Sequence, residues 1–509
     1  MNEDWDVIVV GAGPTGLMLG AELRLAGVRP LLLEKHPQRR DTAKAGGLGG
    51  QILELLRYRG LMERLEAAAG PAPEPRFPFG GVHVDLTRLE HAPMHALPLP
   101  QARLEGLLDD RAAELGVEVR RGHEAVAVTQ DEDAVTVEVQ GPGERYRLTA
   151  RYLVGADGAR SPIREQAGIP FPGIAYPEVN RLAQVALPDT ATVTGGGGVD
   201  FPGLGAIGAG FTRTERGLFG LAASPDSRTV SFYTTEDEAA EYDDDVPMTL
   251  DEVQDSVERV LGFRPPVHSP TRLSRFTFKA RQAERYRDGR IFLAGDAAHQ
   301  FPATGVAINA GMLDAANLAW KLAAEVHGWA PSGLLDTYHG ERHLAGARTM
   351  LHTQAQVALR RGHDAAAEAL REVFQELLAD EPALLRLGAL LAGADVRYPV
   401  PGAERHPLTG TFTPDLPLHT DQGEIRIADL LHTAPSVLLV LADRGDLLDA
   451  AGKWADRVDV VPASTADRAA DALLIRPDAH IAWAATVDES GATAVPSLER
   501  ALTDWFGAP

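Results

Sequence analysis

The chain has 509 residues, too many for one hydrophobic core, so two or three domains are expected. Hydrophobic residues make up 44% and charged residues 24%, as in globular proteins, and no apolar run approaches the roughly 18 to 20 residues that span a bilayer. The absence of cysteine excludes disulfides, thiolate catalysis and cysteine-ligated iron–sulfur clusters. The net charge of −23 argues against nucleic acid and membranes as partners. Because the acidic first four residues do not form a signal or transit peptide, we expect a cytoplasmic protein.

The first motif of the chain follows an apolar run at residues 6–10 (DVIVV), which predicts a buried parallel strand. The next residues match G-x-G-x-x-G, a pattern in which each glycine has its own task. Gly11 permits the tight turn, Gly13 lets a diphosphate approach the backbone, and Gly16 lets the next helix pack on the strand. That helix, predicted over residues 14–26, directs free N–H groups and a partial positive charge at the diphosphate.

An acidic residue stands where such a site needs one. The second apolar run, residues 31–33, ends at Glu34. Glu34 follows Gly11 at the spacing at which, in dinucleotide sites, an acidic residue hydrogen-bonds a ribose hydroxyl. The alternative is an ordinary glycine-rich turn between a strand and a helix. With strand, helix and acid all in place, the sequence predicts a dinucleotide site.

The rest of the first half and the centre alternate between strands and helices. Residues 117–139 show the period-two alternation of strands, and residues 148–154 return to the core as another strand. Asn309 is predicted to cap a long helix that Gly328 ends. Helical spacing of apolar residues is found over residues 51–65, 104–115, 309–326 and 334–378.

Residues 169–275 contain short strand candidates and scattered aromatic residues, a composition that predicts a β-rich unit. The four glycines at 195–198 are better explained as a loop than as a phosphate cradle, because no clear strand precedes them and no helix follows. Beyond the prolines near 400, strands and helices follow in a thioredoxin-like order. Without cysteine that unit cannot perform thiol chemistry, so structural support or a dimer contact is expected.

Two further motifs join the first. Residues 155–161 (GADGARS) follow one predicted strand, and residues 294–299 (AGDAAH) follow another. Together the three motifs resemble the group A flavoprotein aromatic hydroxylases, which have the para-hydroxybenzoate hydroxylase fold. The plan is most similar to the bacterial polyketide and rifamycin hydroxylases, which carry a thioredoxin-like C-terminal domain. Shorter matches are Pro100-Gln101 before a helix, residues 317–322 (NLAWKL), Tyr338 with Glu341 and Arg342, and residues 476–478 (RPD) followed by Trp483.

The resemblance implies an α/β protein with three domains. A Rossmann-like FAD-binding domain would comprise residues 1–75, 101–170 and 276–395. A β-rich substrate domain would comprise residues 76–100 and 171–275, and a thioredoxin-like domain residues 400–509.

The resemblance also implies FAD as the cofactor and a set of residues that bind it. Asp296 would accept a hydrogen bond from the ribityl chain, and Asp157 would lie near the cofactor and assist nicotinamide binding. The alternative for Asp157 is a turn aspartate that holds its own backbone. The predicted cofactor-binding residues are Gly11, Gly13, Pro14, Thr15, Gly16, Glu34, Lys35, Lys44, Gln101, Asp157, Asp296, Pro302, Gly305, Val306, Ala307, Ile308 and Asn309. No metal site is predicted, and no catalytic residue can be named.

The implied reaction is hydride transfer from NADPH or NADH to FAD, followed by oxygen transfer to an electron-rich ring. Since no second G-x-G-x-x-G unit between a strand and a helix appears in the chain, the nicotinamide cofactor would have to visit a surface groove and leave. A local basic patch could receive it, either Arg39, Arg40 and Lys44 or residues 281–290. Solvated surface charge is the alternative for both.

Two departures from the family matter. Lys44 stands where the family has an arginine on the FAD diphosphate, and lysine cannot make a two-pronged contact. In the loop from Pro302 to Asn309, Thr304 and Ala307 replace glycines, and Val306 replaces a common glutamine. Because glycine lets the backbone turn freely, these changes open a second interpretation beside the hydroxylase. In it, FAD is structural and the enzyme is a [4+2] cyclase that only shapes its substrate.

The expected substrate is a large, mostly apolar polyketide of secondary metabolism. The β-rich unit supplies aromatics for a roomy pocket, and the candidates are Phe201, Phe211, Phe219 and Phe232, each of which could equally be core. A monomer or a homodimer is expected.

Overall fold

The computed structural model describes residues 4–39, 45–194, 196–223, 228–238, 242, 246–303, 305–362, 364–400 and 406–509. Lys44 and Thr304 lie outside the described residues, as do Arg40 and Gly195. The predictions that involve these residues therefore remain predictions.

The first 282 residues contain most of the strands. The elements up to residue 166 are β1 (Asp4–Val10), α1 (Pro14–Leu25), β2 (Pro30–Glu34), β3 (Leu48–Gly49), α2 (Gln51–Tyr58), α3 (Met62–Ala68), β4 (Arg76–Phe79), β5 (Val82–Asp85), β6 (Ala96–Leu97), α4 (Gln101–Glu114), β7 (Glu118–Arg121), β8 (Glu124–Gln130), β9 (Val135–Gln140), β10 (Arg145–Gly155) and α5 (Pro162–Gln166). Those that follow are β11 (Gly173–Ala186), β12 (Thr192–Val193), β13 (Val199–Phe201), β14 (Gly205–Ile207), β15 (Gly210–Thr214), β16 (Gly217–Ala223), β17 (Thr229–Asp237), α6 (Leu250–Leu261) and β18 (His268–Gln282).

The second part of the chain is richer in helix. Its elements up to residue 392 are β19 (Arg287–Asp288), β20 (Ile291–Leu293), β21 (His299–Gln300), α7 (Val306–His327), α8 (Asp336–Arg361), α9 (Ala365–Leu377) and α10 (Glu381–Ala392). The remainder are β22 (Pro417–Thr420), β23 (Gly423–Arg426), α11 (Ile427–Leu430), β24 (Ser436–Val440), α12 (Gly445–Ala451), β25 (Val458–Pro462), β26 (Ala472–Ile475), β27 (Ile481–Ala485) and α13 (Gly491–Phe506).

The central sheet places the three sequence motifs next to one another. Its strand order is β19-β20-β10-β1-β2-β7, and β20, β10, β1, β2 and β7 run parallel. The last residues of β1, β10 and β20 are in register, with Val10 beside Gly155 and Gly155 beside Leu293. Since each motif follows one of these ends, all three motifs lie at the same edge of the sheet.

Several helix boundaries differ from the sequence expectation. The helix predicted over 51–65 is two helices, α2 and α3, because Gly60 between them has a φ of 67°. The helix predicted over 334–378 is likewise two, α8 and α9. The prediction that Asn309 caps α7 is wrong: Gly305 is the cap, with a φ of 84°, and Asn309 lies inside the first turns. A glycine cap there allows the left-handed turn that starts the helix.

The middle sheet has the order β15-β16-β17-β11-β18-β21, and α6 packs on its outer face. A separate core fills the space on that face, and it contains Phe201, Phe219 and Phe232, all at most 1% exposed. These three candidates for the substrate pocket are therefore core residues. Strand alternation places Phe219 and Phe232 on the outer face, and Phe201 joins the same core from β13 of a separate three-stranded sheet. The sequence alone could not tell which face is the outer one.

The C-terminal sheet has the order β25-β24-β26-β27, with β24 parallel to β25 and the other pairs antiparallel. This arrangement, with α12 and α13 packed against each other, agrees with the predicted thioredoxin-like order. The α/β class with a Rossmann-like sheet, a β-rich sheet and this third sheet is confirmed, whereas the domain boundaries stay predictions. Among the described helices, none is long and apolar enough to cross a membrane.

Candidate cofactor and substrate site

The three motifs touch one another at the edge of the central sheet, which we call the flavin end. A Cβ added to Gly11 would lie 2.3 Å from the carbonyl oxygen of Ala156, in the second motif. A Cβ added to Gly295, in the third motif, would lie 2.7 Å from Thr15 Oγ1. A Cβ added to Gly311 of α7 would lie 2.4 Å from the same hydroxyl. Only glycine fits at these close approaches, so the motifs form one packed unit.

The three glycines of the first motif have different surroundings. Gly11 has a φ of 107°, and a Cβ on Gly16 would lie 1.9 Å from the Gly11 carbonyl oxygen, so both positions need glycine for packing. A Cβ on Gly13 meets nothing within 4 Å. Gly13 is the residue before α1, where no side chain caps the helix, so its open face and the first N–H groups of α1 can receive an anion.

Glu34 stands beside this opening, at the end of β2. One carboxylate oxygen accepts a hydrogen bond of 3.0 Å from the N–H of Ala12, and the other accepts one of 2.9 Å from the N–H of His36. These bonds fix the carboxylate, and each oxygen keeps a second lone pair for a hydroxyl. The position suits the predicted bond to a ribose.

Asp157 of the second motif has one satisfied oxygen and one unsatisfied oxygen. Its Oδ2 accepts a hydrogen bond of 3.1 Å from the N–H of Ile163, which is what a turn aspartate does. Its Oδ1 is buried and has no hydrogen-bond partner among the described residues. Burial raises the pKa of Asp157. A buried acceptor without a donor is what a bound ligand would satisfy.

The start of α7 supplies a second buried acceptor that has no donor among the described residues. Val306, Ala307 and Ile308 form its first turn after Gly305, and their N–H groups have no acceptor within the helix. Asn309 follows, and its Oδ1 is buried and has no partner among the described residues. Free donors and an unpaired acceptor thus lie together at this helix end.

Asp296 is the exposed residue of a single-turn 3-10 helix, Gly295–Ala297, whose other two residues are buried and which neighbouring residues hold in place. Asp314 of α7 accepts hydrogen bonds from the N–H of Gly295 at 2.9 Å and from His299 Nε2 at 2.7 Å. Arg342 Nε donates to the other oxygen of Asp314 at 2.6 Å. Burial opposes the ionisation of Asp314, but Arg342 and His299 outweigh it and lower its pKa. Sequence reasoning did not single out Asp314, which looks like any polar residue of a helix.

The remaining predicted residues are less directly placed. Gln101 is the first residue of α4, and its Oε1 accepts a hydrogen bond of 3.3 Å from the N–H of Ala45. Pro302 is buried, and Lys35 is exposed beside Glu34. The cofactor-binding set as a whole stays a prediction that this geometry supports.

The predicted basic patches are partly used for internal contacts. Arg39 lies 3.4 Å from Asp109, and Arg287 lies 2.6 Å from Asp336. Arg290 donates to backbone carbonyls of Glu132 and Arg151. Structural roles therefore account for these arginines at least in part.

The residues present at the flavin end fit FAD. The glycine opening and the helix end suit a diphosphate, Glu34 suits a ribose, and Asp157 and Asn309 offer buried acceptors that the described residues leave unpaired. The chain would hold the adenine half near β1 and β2. It would hold the flavin half near Asp296 and the start of α7.

The middle sheet adjoins the flavin end through its last strand, because β18 pairs with β21 and β21 belongs to the third motif. Its face opposite to α6 we call the inner face. Cross-strand pairing brings Leu182 beside Tyr233 and Ser274, and Asn180 beside Phe276. Leu182, Tyr233 and Phe276 are half-buried rather than buried. A partly open wall of aromatic and polar side chains is the usual lining of a ligand cleft.

Two residues extend this wall. Phe211, one of the four predicted pocket aromatics, is 51% exposed and contacts Tyr233 edge to face. Arg272 lies near the chain segment after β2, since a Cβ on Gly46 would be 3.6 Å from its Nη1, and burial lowers the pKa of Arg272. The alternation of β11, β17 and β18 was the only available signal for the inner-face residues, and it does not tell which face is inner.

A buried polar cluster joins α7 and α8 to the C-terminal sheet, and we call it the junction cluster. It consists of Asn317, Lys321, Glu341, Arg476 and Asp478. Lys321 Nζ donates to Glu341 Oε2 at 2.7 Å, and Arg476 Nη1 donates to Glu341 Oε1 at 2.6 Å. Burial lowers the pKa of Lys321 to about 8. Burial opposes the ionisation of Glu341, but Arg476 and Lys321 hold its pKa at about 2. The short sequence matches at 317–322, 341–342 and 476–478 thus meet here.

Comparisons with known proteins agree with this geometry. Residues 4–353 match the family described as FAD binding domain, and residues 406–509 match the family described as aromatic-ring hydroxylase, C-terminal. A 12-dehydrotetracycline 5-monooxygenase/anhydrotetracycline 6-monooxygenase of Streptomyces rimosus is 40% identical over 99% of each chain. A dialkyldecalin synthase of Streptomyces rugosporus is 39% identical over 98% of each chain.

Among solved structures, the OxyS anhydrotetracycline hydroxylase from Streptomyces rimosus superposes with a TM-score of 0.87 and 40% identity. That match covers 99% of this chain and 100% of the other. Matching domains, high identity over the full length and a flavin end that fits FAD all agree. This chain therefore belongs to the FAD-dependent aromatic-ring hydroxylases, the group A flavoprotein monooxygenases, and it is an FAD-dependent oxidoreductase of that family.

Proposed function

We propose that this enzyme hydroxylates a large, mostly apolar polyketide-type aromatic compound, using FAD and either NADPH or NADH. The observation that carries the proposal is the inner face of the middle sheet. Its half-buried Leu182, Tyr233 and Phe276 lie on a sheet that continues directly into the third FAD motif. A long wall of this kind suits a flat molecule of several rings, and the relative named as a 12-dehydrotetracycline 5-monooxygenase/anhydrotetracycline 6-monooxygenase supports that class.

When bound, FAD supplies the hydride acceptance and oxygen activation. The chain contributes orientation and charge stabilisation. The free N–H groups of Val306, Ala307 and Ile308 stabilise negative charge that develops in front of α7. The side chains of the inner face exclude water and hold the substrate ring in a reactive orientation.

The test begins with the purified protein, which should be yellow with the absorption bands of FAD. A panel of fused-ring phenols should stimulate NADPH or NADH oxidation with matching oxygen consumption, and mass spectrometry should detect a product heavier by one oxygen atom. A protein that fails to take up added FAD would contradict the cofactor assignment. Turnover of small single-ring phenols alone would contradict the substrate class.

A second candidate is the cyclase, in which FAD is structural. Two observations favour it: Val306 and Ala307 stand in the first turn of α7 where the family has glutamine and glycine, and a 39%-identical relative is a dialkyldecalin synthase. A cycloaddition needs only proximity and orientation, so the inner face could serve it equally. Conversion of a linear polyene without NADPH or oxygen would establish this candidate. Brisk NADPH oxidation coupled to a phenol would exclude it.

A further inference from the structure

The turn that carries Asp296 is held by one side chain of α7. Asp314 accepts hydrogen bonds from the Gly295 N–H and from His299 Nε2, and both His299 and Asp314 are fully buried. Asp314 thereby ties the two ends of the third motif to the body of the helix. Any movement of this carboxylate moves the turn with it.

Asp314 is in turn held by Arg342 of α8. The guanidinium uses three different nitrogens: Nε donates to Asp314 at 2.6 Å, Nη2 to the carbonyl of Ala310 at 3.1 Å, and Nη1 to the hydroxyl of Tyr398 at 2.8 Å. A planar guanidinium that is bonded on three sides has one permitted orientation. Tyr398 therefore holds one of the three bonded sides of Arg342 and, through it, contributes to the position of Asp314.

Tyr398 is attached to the C-terminal sheet, not to the FAD-binding sheet. Its N–H donates to the carbonyl of Gly410 at 2.8 Å, and its ring stacks on His480 with centroids 4.1 Å apart. His480 follows Asp478 of the junction cluster and pairs with Phe412 in an isolated bridge. The backbone and the ring face of Tyr398 are thus held by residues next to the C-terminal sheet, while its hydroxyl reaches Arg342 of α8.

We propose that Tyr398 is a positioning residue through which the C-terminal domain fixes the FAD-binding turn at Asp296, by way of Arg342 and Asp314. This assigns the cysteine-free thioredoxin-like domain a task in cofactor retention. The proposal concerns FAD binding and does not depend on which substrate or reaction the enzyme serves.

The test compares two tyrosines. Tyr398→Phe removes one hydrogen bond and keeps the ring stacked on His480. Tyr58→Phe is the matched control, because the Tyr58 hydroxyl also donates one buried hydrogen bond across to the C-terminal domain, to the carbonyl of Thr413 at 2.6 Å. Tyr58 is 1% exposed and Tyr398 3%, and within the described part of the chain the Tyr58 hydroxyl bonds Thr413 and not Arg342 or Asp314.

Two readouts on the holoenzyme decide the question. FAD release after dilution, followed by flavin fluorescence, should be faster in Tyr398→Phe, on the order of fivefold to tenfold, because Arg342 loses an acceptor that holds it. Hydrogen exchange of residues 293–300 should also accelerate, since the Gly295 amide reports the bond to Asp314 directly. Tyr58→Phe should leave both readouts as in the wild type.

Equal FAD release from wild type and Tyr398→Phe would overturn the proposal. So would equal acceleration in both variants, which would mean that any weakened docking of the C-terminal domain has this effect. Increased exchange of the C-terminal strands 472–485 in Tyr398→Phe would overturn it as well, because undocking would then explain the loss of FAD. Neither readout requires a substrate, so a failure of the proposed hydroxylation leaves this result unaffected.

Discussion

The flavin end and the junction cluster both contain buried polar groups, but they differ in whether those groups have hydrogen-bond partners. In the junction cluster, Glu341 accepts from Asn317, Lys321 and Arg476. At the flavin end, Asp157 Oδ1 and Asn309 Oδ1 have no partner among the described residues. Satisfied groups stabilise the fold, whereas unsatisfied groups are typical of a place that a ligand completes. Changes at the junction should therefore alter stability, and changes at the flavin end should alter binding.

The largest expected effect lies at the junction. Glu341→Gln removes the negative charge between Lys321 and Arg476, both at most 1% exposed, and should lower the free energy of unfolding by about 3–5 kcal/mol. Urea unfolding followed by tryptophan fluorescence measures it. Glu114→Gln is the control, since its partner Arg64 is 41% exposed and the loss should stay below about 1 kcal/mol. Equal losses in the two variants would contradict the comparison.

The next effect concerns the rate of the reaction. The triple change Thr304→Gly, Val306→Gln and Ala307→Gly restores the family loop and should free the backbone at the start of α7. We expect the present loop side chains to hold one of the free N–H groups of α7 away from the developing charge. Recovering that donor contributes about 3–4 kcal/mol, so NADPH-dependent oxygen consumption should rise markedly while FAD content stays the same. If the native enzyme already oxidises NADPH briskly with its substrate, the loop is no handicap and this expectation is wrong.

A smaller change is expected at Asp296. Asp296→Ala removes the carboxylate predicted to accept from the ribityl chain, and FAD affinity should fall by about 1–3 kcal/mol. Fluorescence titration of the apoprotein with FAD measures this change. Asp133→Ala, in the turn between β8 and β9, is the control and should bind FAD like the wild type. An unchanged affinity in Asp296→Ala would remove this residue from the site.

The smallest change tests the open glycine. Gly13 has a φ of −78° and free space at its Cβ, so Gly13→Ala should fold as stably as the wild type. The added methyl would enter the space predicted for the diphosphate, and FAD should bind about tenfold more weakly, which corresponds to about 1.4 kcal/mol. Gly143→Ala, which also has free space, should change neither stability nor binding. Unaltered FAD binding in Gly13→Ala would place the diphosphate elsewhere.

The sequence alone was sufficient for the parts of the molecule whose physics is local. The turn at Gly11, the apolar run of β1 and the acid at Glu34 form one contiguous unit, and the ends of parallel strands necessarily share an edge of the sheet. The resemblance to the aromatic hydroxylases assigned three motifs separated by more than a hundred residues to one site, and the shared edge of the parallel strands is the physical reason that they meet there. The helix break at Gly60 was less apparent, because apolar spacing continues through it.

Only the tertiary structure decided which residues face which neighbour. Phe219 and Phe232 belong to the core under α6, while Phe211 and Tyr233 lie on the inner face, because strand alternation has two faces and the sequence does not mark the inner one. The link from Tyr398 through Arg342 to Asp314 joins three distant parts of the chain. Each of its bonds depends on side-chain geometry that forms only when the sheets dock, and no local pattern encodes it.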